Sequence, residues 1–132
     1  MSRPLELTVT HTAGAARTGR LRTPHGSTPL PAFMPVGTHG TVKGMTTHDL
    51  LDVGASIILC NALHLELRPG AGLVEELGGL HRFMGWSGPI LTDSGGYQVH
   101  SLRHLTRVKE DGVQLCSPVD GVWQNLTPER MV

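Results

Sequence analysis

Two short apolar runs, each followed directly by polar residues, dominate the hydrophobic pattern of this chain. The first spans residues 55–60 (ASIILC) and leads into Asn61 and His64. The second spans residues 89–92 (PILT) and leads into Asp93. Continuous apolar runs of this length are typical of strands that are covered on both faces of a parallel sheet. We therefore predict two buried strands with polar side chains at their carboxyl ends.

A helical pattern separates the two predicted strands. Residues 71–77 place Leu73, Val74 and Leu77 on one face, and residues 80–86 predict one further helical turn. Strand, helix and strand in this order predict a βαβ unit with a right-handed crossover. The ligand site of such a unit lies at the carboxyl ends of its strands, so we expect the polar residues after both strands to lie close together.

The first 35 residues predict a small antiparallel cap. Residues 5–10 alternate apolar and polar side chains, and residues 19–23 form a second short strand. Three prolines interrupt residues 29–35, which leaves only residues 32–34 as a short extended piece. A helix that begins at Thr46 or Thr47 and runs to Val53 then precedes the first apolar strand.

After Asp93 the pattern predicts a mixed loop over residues 99–106 and then a small antiparallel region that ends at Leu126. Asp111-Gly112 is a two-residue hairpin signal between two strand-like runs. Thr127-Pro128-Glu129 is a typical helix start, with a capping hydroxyl and a proline at the first position. Because only three residues follow Glu129, we expect this helix, and with it the chain, to be truncated.

Composition and charge exclude several classes of protein. The chain has 39% apolar and 17% charged residues, which excludes a disordered chain and a membrane span. Formal net charge is zero, so a nucleic-acid role would need a local site instead of bulk positive charge. The N-terminus has no secretory pattern, and we expect a cytoplasmic protein.

Metal and disulfide chemistry is not predicted within this chain. Cys60 and Cys116 lack CxxC spacing and lie in apolar runs, as small buried residues do. The eight histidines show no HxH or HExxH spacing and no pairing with cysteine at ligand distance. Structural or surface histidines are the expectation.

The residues that follow the second apolar strand, Asp93-Ser94-Gly95-Gly96-Tyr97-Gln98, have two possible interpretations. In the functional one, the carboxylate exchanges a proton or holds a base edge, the glycines allow close approach of a ligand, and the aromatic ring stacks. In the structural one, the segment is a tight turn and the carboxylate bonds nearby N–H groups. A short glycine-rich loop is a weak motif, so spacing alone leaves both open.

Several blocks of the chain, in the same order, resemble the tRNA-guanine transglycosylases, also called queuine tRNA-ribosyltransferases. The blocks are residues 33–38 (FMPVGT), 61–70 (NALHLELRPG), 77–86 (LGGLHRFMGW), 91–98 (LTDSGGYQ), 117–121 (SPVDG) and 127–130 (TPER). Together they extend the resemblance from about residue 16 to residue 132, and their number and order make it specific.

The resemblance implies an α/β fold, a modified TIM (β/α)8 barrel with an antiparallel β cap and an inserted β-hairpin region. Such a barrel needs about 250 residues, so this chain would be its N-terminal portion. We expect the cap over residues 1–35, the first two βα units over 36–98, the β insertion over 99–126 and the start of a truncated helix over 127–132.

The implied activity is that of a pentosyltransferase. The family exchanges the wobble guanine of certain tRNAs for a 7-deazaguanine, preQ1 or queuine, in queuosine biosynthesis. A carboxylate attacks the anomeric carbon of the ribose and expels guanine, and the incoming base then attacks the covalent intermediate. The implied partners are tRNA, a 7-deazaguanine and a second copy of the complete enzyme. No association with a membrane is expected.

The resemblance also assigns roles to residues. Asp93 would be the general acid–base that exchanges protons with the two bases. Tyr97 would stack on the base, and the remaining positions would line or support the site: Ser94, Gly95 and Gly96 at base and ribose, Asn61, His64 and Gln98 in support, and Val36 and Leu59 at the ribose.

Other functional parts of the family lie outside the matched blocks. The nucleophilic aspartate, the polar groups that read the base, the basic RNA surface and a Cys3His structural zinc site are expected later in the barrel. We therefore expect this chain to be inactive alone, or alternatively to be a non-catalytic homologous subunit or fragment that acts as an interaction module. A hydrolase or small-molecule binding module built on Asp93 and Ser94 would lack a base or oxyanion partner.

Overall fold

The computed structural model describes residues 5–131, which form a mixed α/β arrangement with antiparallel and parallel sheets. The predicted cap and terminal helix include residues 1–4 and 132, which lie outside the described residues. In chain order the strands are β1 Glu6–Ala13, β2 Ala16–Thr23, β3 Gly26–Leu30, β4 Ile58–Asn61, β5 Ile90–Asp93, β6 Thr106–Lys109, β7 Gly112–Cys116 and β8 Trp123–Leu126. The helices are α1 Thr47–Asp52, α2 Ala62–Leu67, α3 Ala71–Glu76, α4 Leu80–Met84, α5 Gly96–Ser101 and α6 Pro128–Met131.

The N-terminal cap is a three-stranded antiparallel sheet of order β1-β2-β3. The prediction that prolines interrupt this stretch from residue 29 is wrong for β3, because Pro29 lies within the strand and is aligned with Arg20 of β2. An edge strand tolerates a proline, since the missing N–H is not needed on its free side. Thr28 is fully buried, and its hydroxyl donates to the carbonyl of Ser56 at 3.0 Å. This bond attaches the cap to the segment before β4.

The two apolar runs form the predicted parallel pair. β4 and β5 are aligned so that Ile58 faces Ile90 and Asn61 faces Asp93, and Val36 forms a parallel bridge with Leu59 on the other side of β4. The first strand starts at Ile58, three residues later than the apolar run suggests, and continues to Asn61. The pairing of the two strands places their carboxyl ends side by side.

Three helices connect β4 to β5, one more than the predicted helix and helical turn. The predicted helix over residues 71–77 is α3, and the predicted turn over residues 80–86 is α4. The sequence pattern predicts no element at α2, which begins directly after β4 with Asn61 as its N-cap. Its Leu65 packs with Ile58 and Trp86 in one buried cluster. Its Leu63 packs in a second cluster with Leu115 and Leu126, so α2 joins the parallel pair to the third sheet.

The C-terminal part contains the predicted hairpin and one unexpected helix. β6, β7 and β8 form a three-stranded antiparallel sheet, and the hairpin between the first two turns at Gly112. The mixed loop predicted over residues 99–106 is wrong, because α5 occupies Gly96–Ser101 and β6 starts at Thr106. The helix begins within the glycine pair itself, where Gly95 as N-cap takes a left-handed conformation.

Helix α1 matches its prediction closely. Thr46 is the N-cap, and its hydroxyl and the Asp49 carboxylate form a capping box. The pKa of Asp49 is lowered because Thr46 donates to its carboxylate from both side chain and backbone.

Among residues 5–131, no helix combines the length and apolar character that a membrane crossing requires.

Candidate functional site

The carboxyl ends of β4 and β5 bring together the polar residues that the sequence singled out. Asn61 and Asp93 are aligned across the parallel pair, and the Asn61 side-chain amide donates to Asp93 Oδ2 at 2.9 Å. The same amide nitrogen donates to Gln98 Oε1 at 3.1 Å. One buried amide therefore connects β4, β5 and α5 at a single point.

Asn61 also determines where α2 begins. Its Oδ1 accepts the backbone N–H of His64 at 3.1 Å, the N-cap bond of this helix. The side chain is only 8% exposed, and its three hydrogen bonds use the oxygen and both hydrogens of the amide. The position of His64 is thus tied to the position of Asp93.

Asp93 combines features of both interpretations of the glycine-rich segment. Its Oδ1 accepts the backbone N–H of Gly95 at 3.3 Å, as in a local turn. Gly95 has φ of +80°, and a Cβ there would lie 2.4 Å from Cβ of Leu63. Only glycine satisfies both the conformation and the close approach of α2. The carboxylate is half-buried and also borders a cavity.

This cavity has a volume of about 190 Å³ and lies at the end of the parallel pair. It contains most of the predicted support and ribose residues, and its lining is Val36, Thr38, Leu59, Cys60, Asn61, His64, Asp93 and Gln98. A larger cavity of about 540 Å³ lies between the cap and α1 and shares only Val36 with this one. Its lining is almost wholly apolar, so we place the candidate site at the smaller, polar cavity.

Four of the five predicted base-binding residues, Ser94, Gly95, Gly96 and Tyr97, lie outside the cavity lining, and Gly95 is buried against Leu63. Ser94, Gly96 and Tyr97 are exposed at the start of α5, and the Tyr97 side chain is 74% exposed. The structure thus places an aromatic ring and a hydroxyl on the rim of the site. Their roles toward a base remain predictions.

Two further residues, Thr38 and His39, belong to the site, although the sequence pattern predicts no role for them. Thr38 lines the cavity, and the ring of His39 lies 5.3 Å from the ring of His64, edge to face. Both residues follow Val36, whose bridge to Leu59 brings their loop to the end of β4. A long-range bridge of this kind has no local sequence signal.

The pKa of His64 is lowered by its surroundings. Burial is the main cause, and the like charge of a protonated His39 adds to it. The carboxylate of Asp93 acts in the opposite direction. His64 is therefore biased toward the neutral ring in the free protein.

The described residues do not fit a zinc site. Residues 5–131 contain no group of three or more histidine, cysteine or acidic side chains arranged to bind a metal. Cys60 is buried in the apolar cluster, its Sγ lies 3.5 Å from Met84 Sδ, and burial raises its thiol pKa to about 11. Cys116 lies in β7 of the third sheet, and both thiols are free. The structural zinc implied by the resemblance would need ligands from elsewhere.

Comparison with known proteins defines the class. Residues 12–132 match the family described as "TGT: Queuine tRNA-ribosyltransferase", and the chain belongs to this family. This confirms the resemblance found in the sequence. The chain is 55% identical over 132 residues to the queuine tRNA-ribosyltransferase of Solidesulfovibrio magneticus, covering 100% of this chain and 35% of that protein.

Two other relatives give the same result. The queuine tRNA-ribosyltransferase of Thermus thermophilus is 54% identical over 129 residues, 98% of this chain and 34% of its own length. That of Desulforudis audaxviator is 58% identical over 117 residues, 89% of this chain and 32% of its own length. The chain thus spans about a third of the length of these relatives.

Proposed function

We propose that this chain forms the N-terminal part of a tRNA-guanine transglycosylase active site, with Asp93 as its general acid–base. The observation that supports this most directly is the Asn61–Asp93 pair at the carboxyl ends of two parallel strands. Barrel enzymes place their reacting groups at this end. In this proposal β4 and β5 are the first two strands of a TIM barrel, preceded by the cap and followed by the β insertion over 99–126.

The surroundings of Asp93 suit proton exchange with a base. Donors from Asn61 and Gly95 each contact one carboxylate oxygen and so fix the orientation of the group. Held in this way, the carboxyl group gives a proton to the departing guanine in the first step, and the carboxylate that results takes one from the incoming deazaguanine in the second. The proton donor and acceptor atoms of the bases must then lie within hydrogen-bond reach of the Asp93 oxygens.

The remaining site residues divide between cavity and rim. Val36 and Leu59 supply apolar walls, where we place the ribose, and Gln98 and His64 support the polar end. Tyr97 presents an exposed ring on α5, and an exposed aromatic face is suited to stacking on a base. Ser94 and Gly96 complete the rim beside it.

The nucleophile of the exchange must come from outside this chain. Among the other aspartates, Asp49 belongs to the α1 capping box, Asp52 faces His48 in an exposed pair, and Asp120 accepts the N–H of Val122 in a turn. Asp111 lies in the turn between β6 and β7, and none of these four aspartates lines the cavity. We therefore assign the nucleophile, the main RNA surface, the zinc site and the dimer contacts to the remaining two thirds of a full-length cytoplasmic enzyme that acts on tRNA.

A guanine-exchange assay tests this proposal. The 132-residue chain would be compared with a hybrid in which it replaces the matching third of the Thermus thermophilus relative. We expect the hybrid to incorporate radiolabelled guanine into tRNA and the isolated chain to incorporate none. Incorporation by the isolated chain would contradict the assignment of the nucleophile, and a folded but inactive hybrid would favour a non-catalytic interaction module.

A further inference from the structure

The rings of His39 and His64 form a pair beside the Asp93 cavity. Their centroids are 5.3 Å apart and their planes are inclined by 66°. His64 lies on α2 and lines the cavity, whereas His39 is exposed on the loop between β3 and α1. The acid–base role of Asp93 makes no use of His39.

Backbone hydrogen bonds anchor the two segments that carry these rings beside Asp93. The N–H of Gly37 donates to the carbonyl of Leu59 at 2.7 Å, and the N–H of Gly40 donates to the carbonyl of Gly37 at 2.9 Å. These bonds close a turn around His39 and attach it to β4. On the other side, the Asn61 cap bond fixes the first turn of α2 and with it His64.

Electrostatics indicates which kind of ligand the two rings would accept. Two protonated imidazoles repel each other, and this repulsion contributes to the lowered pKa of His64. The charged groups that act on His64 are His39 from the loop and Asp93 from β5, while Asn61 and Gln98 are uncharged. An anion that contacts both rings would replace repulsion by attraction.

A phosphodiester is the anion that the proposed substrate brings to this place. A nucleotide whose base binds at Asp93 carries a phosphate on each side of its ribose, and we place one of them at the His39–His64 pair beside the cavity. The chain has no net positive charge that would attract RNA as a whole, so phosphate contacts here must be local. An imidazolium N–H is a charge-assisted donor to a phosphate oxygen.

We infer that His39 and His64 form an anion site for a backbone phosphate of the bound RNA, and that the pair takes up a proton when the RNA binds. This inference rests on the proposed function, because it takes an RNA as the ligand. It assigns a binding role to His39 and adds a phosphate contact to the support role of His64.

The test uses the hybrid enzyme of the guanine-exchange assay, in which this chain is joined to the rest of the Thermus thermophilus relative, and a short RNA stem–loop with guanine at the wobble position. His39→Gln is compared with His48→Gln, a control at an exposed histidine on α1. We expect His39→Gln to weaken RNA binding about tenfold at pH 6, the loss of one charge-assisted bond. It should also lower the slope of affinity against salt by about one. His48→Gln should change neither value.

Proton uptake is measured by NMR titration of His64. Saturating RNA should raise the pKa of this ring, and the rise should be smaller in His39→Gln. RNA affinity should fall between pH 6 and pH 8 in the unaltered hybrid and depend less on pH in the variant. An unchanged His64 titration, or equal effects of the His39 and His48 substitutions, would overturn the inference.

Two further ligands separate this inference from the proposed function. A stem–loop with adenine in place of the wobble guanine should give the same His39-dependent effects, because the site contacts phosphate and not the base. Equal affinity for the two RNAs would count against guanine recognition and leave the anion site supported. Inorganic phosphate that shifts the His64 titration when RNA does not would overturn the assignment to an RNA phosphodiester.

Discussion

Asn61 donates to Asp93 Oδ2 at 2.9 Å while its own Oδ1 caps α2 through the N–H of His64. The candidate acid–base is therefore coupled to the first turn of a helix through one buried side chain. This relationship explains how a strand of only four residues orients its terminal carboxylate. It also means that stability and function are linked at Asn61.

Substitution of Asn61 tests this coupling. Asn61→Ala removes the α2 cap and the donor to Asp93, so we expect a loss of about 2 kcal/mol in the free energy of unfolding. The control is Thr46→Ala, which removes the α1 cap far from Asp93 and should cost about 1 kcal/mol. Urea unfolding measures both values. Equal losses would show that the Asn61–Asp93 bond contributes nothing to stability.

Alanine substitutions at Gly95 and Gly96, which follow Asp93, should have opposite effects on the free energy of unfolding. A methyl group at Gly95 would meet Leu63 at 2.4 Å and force a side chain into a left-handed conformation. Gly95→Ala should therefore lower the free energy of unfolding by about 2 kcal/mol or more. Gly96→Ala should stabilise by about 0.5 kcal/mol, because its Cβ would meet only Ser94 Oγ at 3.7 Å. Similar urea midpoints for the two variants would contradict the close packing of α2 and α5.

The sequence predicted the strands better than the short helices. The parallel pair and the hairpin have local signals, a continuous apolar run and an Asp-Gly turn, and both are present. Helices α2 and α5 have six residues each, as the predicted α1 and α3 do, but they begin within three residues of the ends of β4 and β5, so no separating turn marks their start. Their limits depend on contacts such as Leu63 against Gly95, which only the folded chain provides.

The site was predictable only in its strand-end part. Asn61, His64 and Asp93 follow apolar runs, so parallel pairing alone brings them together. His39 has no such signal, because its loop reaches the site through the bridge of Val36 to Leu59. The contact between Glu66 and Arg130 joins residues 64 positions apart and was likewise not visible in the sequence.

That contact is expected to stabilise the C-terminal helix. The Glu66 side chain is 6% exposed, Arg130 Nε donates to its Oε1 at 2.7 Å, and Oε2 has no partner among the described residues. Arg130→Ala leaves a buried carboxylate uncompensated and should cost about 2 kcal/mol. Adding Glu66→Gln should recover part of this loss, because it removes the buried charge.

Chemical denaturation of the two single variants and the double variant measures this effect. Substitution of the exposed pair His48–Asp52 serves as a control and should have little effect. Simple additivity of the Glu66 and Arg130 substitutions would show that their contact does not stabilise the fold.

Thermal stability should fall on mild acidification. The pKa of His81 is lowered from its ordinary value of 6.5, mainly by burial and next by the like charge of His25. The centroids of the two stacked rings are 3.5 Å apart. The hydrogen bond from His81 Nε2–H to the Gly88 carbonyl opposes the shift. Below about pH 7 the unfolded chain thus binds a proton that the folded chain excludes. This contribution is complete above pH 7 and is lost as the pH falls through 6.5 toward the folded value.

Melting temperatures at pH 7.5 and pH 5.5 measure this effect. His81→Gln should reduce the difference between the two temperatures, whereas His104→Gln, an exposed control, should leave it unchanged. A difference that is the same in the unaltered chain and in His81→Gln would exclude this origin.

The role of Asp93 is tested most directly by guanine exchange in the hybrid with the Thermus thermophilus relative. Asp93→Asn keeps the size of the side chain and removes the carboxylate that exchanges protons. Guanine exchange should therefore fall by about 100-fold or more, while the melting temperature changes little. The control Asp120→Asn alters an exposed turn residue that does not line the cavity and should retain full activity. Exchange by Asp93→Asn at the rate of the unaltered hybrid would contradict the account and leave Asp93 a structural turn residue.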